Sequence, residues 1–140
     1  METQRTQRSR EDHKALAPGT EEIGRGIVDA AITVHRALGP GLLETAYEAC
    51  LANELERRGH RVQRQQTLPL TYEGVRIDAG YRIDLLVGAT VIVEVKSVES
   101  FAPIHEAQLL TYLKLSGCRL GFLINFNATL LKQGIKRVIL

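Results

Sequence analysis

The sequence predicts an α/β fold, a mixed sheet with helices packed on it, in the order α-α-β-β-β-α-β-(β). Three observations carry it. Two amphipathic stretches with helical spacing come first. Two apolar runs joined by a short glycine loop follow, and a further helical stretch separates them from another apolar run.

Taken in order, residues 1–18 are polar, charged and without periodicity, and end in Ala17-Pro18-Gly19. They read as a disordered tail, leaving residues 19–140 as one domain. Thr20 stands as an N-cap, with Glu21 and Glu22 in the first turn, where the helix dipole favours anions. Ile23, Ile27, Ala30, Ala31, Val34 and Leu38 then recur at helical spacing until Gly39-Pro40 stops the helix. A second helix is expected from about Leu42 to Arg58. Its apolar face is Leu43, Tyr47, Cys50, Leu51 and Leu55, and Gly59 closes it.

Arg61 to Leu70 reads as a strand, Tyr72-Glu73-Gly74 as a turn, and Val75 to Ile77 as a short extended stretch. Tyr81–Val87 and Val91–Ser97 are the two strongest strands, joined as a hairpin by Gly88-Ala89-Thr90. Pro103 opens a third helix that runs to about Ser116 and ends at Gly117. The apolar run Leu120–Phe126 is expected to be a buried central strand. Asn127–Gly134 is expected to hold a turn of helix, and Ile135–Leu140 a final strand.

Composition narrows the function classes. With 44% hydrophobic and 24% charged residues, the chain is ordinary for a globular domain. No apolar run approaches the roughly 18 to 20 residues of a membrane span. The opening METQRTQRSREDHK has no apolar core of a secretory signal, so the expected location is cytoplasmic, with no membrane partner. Cys50 and Cys118 lack metal-type spacing and read as buried free thiols. The net charge of +2 is small, but beyond Glu106 come Lys114, Arg119, Lys132, Lys136 and Arg137 with no acid following. Arg57, Arg58, Arg61 and Arg64 form a second cluster. On charge alone, a polyanion-binding field and a solvated basic surface both stand. There is no P-loop and no dinucleotide-binding glycine pattern.

The chemistry-bearing residues lie between Asp84 and Lys96. Asp84 is a single carboxylate in the apolar run Tyr81–Val87, and Glu94 and Lys96 share one face of the next strand. The hairpin sets Asp84 opposite Glu94, where cross-strand Cβ atoms are about 4.5 to 5.5 Å apart. Two acids at that separation repel unless something positive lies between them. A divalent ion such as Mg²⁺, held by one or two carboxylates plus water and phosphate, satisfies that demand. A partly buried ion-pair network of the same three residues is the competing reading of the pattern.

Asp84 followed ten residues later by Glu94-Val95-Lys96 resembles the D-x(n)-(D/E)-x-K signature of the PD-(D/E)XK phosphodiesterases, with Ile83 where proline often stands. Gly41-Leu42-Leu43-Glu44-Thr45-Ala46-Tyr47 matches the GxxExxY pattern of a small bacterial protein family assigned to that superfamily. Gln108-Leu109-Leu110-Thr111-Tyr112 matches the QxxxY helix motif of its RecB-type branch. The resemblance spans about Glu21 to Leu140. It implies a restriction-endonuclease-like sheet flanked by helices and a nuclease that uses Mg²⁺ or Mn²⁺ on nucleic acid, DNA favoured over RNA. It implies Asp84 and Glu94 as metal ligands with Glu44 as an additional, assisting metal-site carboxylate, Lys96 at the attacking water, and Gln108 and Tyr112 in support.

Tyr47 reads equally as a site hydrogen-bonding group or as core. His35 and His105 read as structural. A scaffold that binds nucleic acid or protein without cutting is the alternative function, and a homodimer is left open.

Overall fold

The computed structural model describes residues 16–140. Its elements are α1 (Thr20–Leu38), α2 (Glu44–Arg57), β1 (Val62–Tyr72), β2 (Val75–Val87) and β3 (Val91–Lys96). α3 (Pro103–Ser116), β4 (Leu120–Asn125), a 3-10 turn (Leu131–Gly134) and β5 (Ile135–Ile139) follow. The strands make one mixed sheet in sequence order. β1–β2, β2–β3 and β4–β5 are antiparallel, whereas β3–β4 is parallel. A parallel pair needs a long crossover, and α3 supplies it.

The sheet is covered on both faces. α1 and α2 lie on one, where Ile27, Val34, Tyr47, Leu51 and Leu55 pack with Leu85, Val87, Val93, Phe122 and Phe126. α3 lies on the other, where Leu109, Tyr112 and Leu113 meet Leu68, Ile83, Ile92 and Leu123. β4 is buried at all six positions and β3 at its first five. Double coverage explains why both are mainly apolar, with Glu94 the one charge among the buried positions of β3. The helices come close to the strands because small residues allow it: a Cβ on Gly121 would lie 2.9 Å from Leu109 Cδ1.

The joint between α1 and α2 is fixed by a buried side chain. The Tyr47 hydroxyl donates to the Gly39 carbonyl and accepts from the Leu42 N–H at 3.1 Å. Its ring stacks on Phe126 at 4.7 Å. Of the two readings of Tyr47, the packing role is the one the contacts describe.

Some boundaries differ from the sequence reading. α1 is preceded by Gly19 in the left-handed region (φ 84°), and Thr20 is the first helical residue rather than the cap. Its hydroxyl is buried without a hydrogen-bond partner. The stretches Val75–Ile77 and Tyr81–Val87 are one strand, β2. It is joined to β1 by a two-residue turn, Glu73-Gly74, with φ of 49° and 75°, as a tight hairpin requires. The tail expected over residues 1–18 lies, as far as residue 15, outside the described residues, and Leu16 packs against the core.

Charge is distributed differently in space than along the chain. Lys136 Nζ bonds Glu106 Oε2 at 2.6 Å, and Arg137 pairs with Glu21. Cys50 and Cys118 are free thiols, half-buried. Among the described residues no helix is long and apolar enough to cross a membrane.

Candidate active site

The β2–β3 ladder pairs Val87 with Val91, Leu86 with Ile92 and Leu85 with Val93, then stops. Asp84 and Glu94 would be the next pair. Instead the Asp84 N–H donates to Glu94 Oε2 at 2.8 Å, and the Val95 N–H donates to Asp84 Oδ2 at 2.9 Å. Each carboxylate takes an N–H of the opposite strand, so the backbone stays satisfied while the ladder ends. The opposition of Asp84 and Glu94 expected from the hairpin is present, in the form of two side chains that replace ladder bonds.

The disturbance continues into β1. Pairing runs Arg64↔Leu85 and Gln66↔Ile83, and skips the Gln65–Asp84 position between them. Gln65 lies at φ 51°, in the left-handed region, which costs a non-glycine residue roughly 1–2 kcal/mol. Residues two apart on a strand normally share a face. Here Leu85 packs toward α1 and α2 while Ile83 packs toward α3. The row Gln65–Asp84–Glu94 is therefore where the ribbon turns over.

Glu94 is only 4% exposed. Burial, followed by the charge of Asp84, pushes its carboxyl up to about 8. Burial also lifts Asp84 to about 6, and the charge of Glu48 adds to that. The Lys96 ammonium pulls both back toward ionisation. Burial, then the charges of Glu94 and Asp84, raise the Tyr112 phenol, and a side-chain hydrogen bond with Gln108 opposes them. The Tyr112 ring also meets Tyr81 edge-on at 6.2 Å. Asp84, Glu94 and Lys96 thus lie in one neighbourhood, with the Gln108–Tyr112 pair of α3 facing it.

Glu44 is exposed, and its Oε1 accepts from the Ser97 N–H at 3.1 Å. Ser97 Oγ donates in turn to the Leu42 carbonyl at 2.9 Å. These bonds fasten the start of α2 to the end of β3, next to Lys96. The α2 acid whose charge bears on Asp84 and Glu94 is Glu48, one turn further along. It is 6% exposed. Arg64 Nη2 donates to its Oε2 at 2.9 Å, and Gln65 Nε2 to its Oε1 at 2.6 Å. The same Gln65 amide reaches Asp84 Oδ1 at 3.3 Å.

Sequence reasoning missed both Glu48 and Gln65. Glu48 did leave a trace, an acid on the same helix face as Leu51, Ala52 and Leu55, where an unpaired charge is costly. Gln65 left none, because a left-handed residue inside a strand has no pattern. His35 and His105 lie elsewhere. His35 Nε2 bonds the Ala128 carbonyl at 2.8 Å, and His105 Nδ1 accepts the Ala102 N–H at 3.1 Å at the start of α3.

Among the described residues no group of three or more His, Cys, Asp or Glu side chains is gathered closely enough to hold an ion by itself. Two hard-oxygen donors whose pKa values are raised by burial and by neighbouring acids do fit a Mg²⁺-type ion. Such an ion takes one or two carboxylates and completes its shell with water and substrate phosphate.

A family model described as the PD-(D/E)XK nuclease superfamily matches residues 21–138. Comparison with curated proteins and comparison with solved structures give no match.

Proposed function

Because the chain belongs to the PD-(D/E)XK nuclease superfamily, we propose that it is a metal-dependent nuclease that hydrolyses nucleic-acid phosphodiester bonds. Its mixed sheet between helices is the restriction-endonuclease-like arrangement. The observation that carries the proposal is the broken row at Asp84 and Glu94, where a half-buried and a buried acid share one neighbourhood with Lys96.

Asp84 and Glu94 would hold Mg²⁺ or Mn²⁺, which when bound polarises a phosphoryl oxygen and lowers the pKa of a coordinated water. Their carboxylates are already oriented by the Val95 and Asp84 N–H groups, so little reorganisation accompanies binding. Lys96 places a positive charge where the attacked phosphate gains negative charge. Gln108 and Tyr112 close the α3 side, with the Tyr112 hydroxyl available to hold a proton or a phosphate oxygen. Glu44 acts at one remove, by fixing Ser97 and hence the end of β3. DNA as the favoured substrate, membership of the GxxExxY family and RecB-type branch, a bacterial and cytoplasmic setting and a homodimer belong to the same proposal.

The test is cleavage of labelled DNA and RNA in Mg²⁺ or Mn²⁺ by wild type and Lys96→Ala. Metal-dependent cleavage by wild type, lost in the variant, supports the proposal. Salt-sensitive binding without any cleavage would instead favour the non-cutting module.

A further inference from the structure

Among the described residues, Gln65 is the one non-glycine residue inside a strand with a left-handed backbone; Glu73 and Ala89, the others, sit in turns. Neighbouring residues on a strand point to opposite faces. Arg64 and Gln65 nevertheless both reach the Glu48 carboxylate, Arg64 at Oε2 and Gln65 at Oε1. The turned backbone at Gln65 accounts for that. The same amide nitrogen then reaches Asp84 Oδ1, so a continuous line Arg64–Glu48–Gln65–Asp84 joins α2 to β2 through β1. Strained conformations persist where their surroundings hold them in place, and they gather at functional sites.

We propose that Gln65 is a positioning residue: its left-handed backbone aims the amide between Glu48 and Asp84 and fixes the orientation in which Asp84 meets the metal. The consequence for cleavage rests on the nuclease reading; the consequence for ion binding does not. Partners of this kind, one step behind a ligand, change metal affinity or activity by about 10- to 100-fold when removed.

Gln65→Gly separates positioning from packing, because glycine adopts the left-handed region at no steric cost. Three quantities are measured on the full chain: melting temperature without metal, Mn²⁺ affinity by calorimetry, and nucleic-acid cleavage. The expected result for Gln65→Gly is a melting temperature equal to or above that of wild type, with Mn²⁺ affinity and turnover lowered about 10- to 100-fold. Gln65→Leu keeps the strain without the bonds, so it should bind Mn²⁺ as poorly as Gln65→Gly and melt below it. A Gln65→Gly protein that melts lower and binds Mn²⁺ as wild type does would make the residue structural and overturn the proposal. Mn²⁺ affinity within twofold of wild type in both variants overturns it as well, and so does a wild type that binds no Mn²⁺. If wild type binds Mn²⁺ but cuts nothing, the nuclease reading falls while the affinity comparison still decides on Gln65.

Discussion

Two neighbouring segments of the β2–β3 hairpin obey opposite rules. From Leu85 to Val87, facing Val91 to Val93, the ladder is regular and Leu85, Val87, Val91, Ile92 and Val93 are fully buried apolar residues. One residue further along, at Asp84 and Glu94, the ladder ends, the side chains are acidic, and two carboxyl groups are held above their ordinary pKa values. The first segment supplies cohesion, and the second is where the proposed function puts the chemistry. Adjacent placement is physically useful, because a rigid ladder delivers the broken row at a defined position.

The sharpest way to separate the two segments is to remove chemistry without touching cohesion. Lys96→Ala should lower cleavage by about 10²- to 10³-fold, the cost typical of one lost electrostatic group, with the melting curve nearly unchanged. A variant that cuts at the wild-type rate would contradict the role given to Lys96. The converse is Leu120→Ala, a fully buried residue opposite Val91. It should cost about 2–5 kcal/mol in urea denaturation and leave the metal affinity of the folded fraction unchanged. Loss of affinity in the folded fraction would show that the two segments are not separable.

Acidity sharpens the comparison further. Asp84 and Glu94 bind protons more tightly folded than unfolded, since their carboxyls are raised from 3.8 to about 6 and from 4.5 to about 8. Their contribution to stability is therefore complete below about pH 4 and is lost as pH rises through 6 and then 8. At pH 8 Glu94→Gln should stabilise the metal-free protein by on the order of 2 kcal/mol, and at pH 4 by almost nothing. Added Mg²⁺ should stabilise wild type at pH 8 and fail to do so in the variant. A Glu94→Gln protein whose stability follows pH as steeply as wild type would remove Glu94 from this account. The smallest effect belongs to the surface. Lys136→Ala breaks an exposed pair with Glu106 and should change stability by less than about 1 kcal/mol.

The regular segment was legible in the sequence because its rules are periodic. Apolar runs, a glycine loop and helical spacing led to the element order and to a mixed sheet with helices packed on it. The candidate site could be proposed from sequence only where its residues form a recurring pattern. Asp84, Glu94 and Lys96 stand at fixed spacing on strands, and Gln108 and Tyr112 four apart on one helix. Glu48 was overlooked beside Glu44, which has the motif position and whose Oε1 accepts the Ser97 N–H. Gln65 was invisible, since its part depends on a backbone angle and not on its neighbours in sequence. The basic C-terminal stretch left two readings open for a related reason: Glu21 and Glu106, distant along the chain, fold back onto Arg137 and Lys136. Linear charge patterns omit partners that topology supplies.

The central claim is that the broken row exists to hold a cation between two acids. Anomalous scattering from crystals grown with Mn²⁺ near pH 8 tests it most directly. The account expects a peak within bonding distance of both Asp84 and Glu94, absent from Asp84→Asn crystals. Saturating Mn²⁺ with no peak there, or a peak that survives in Asp84→Asn, would contradict it.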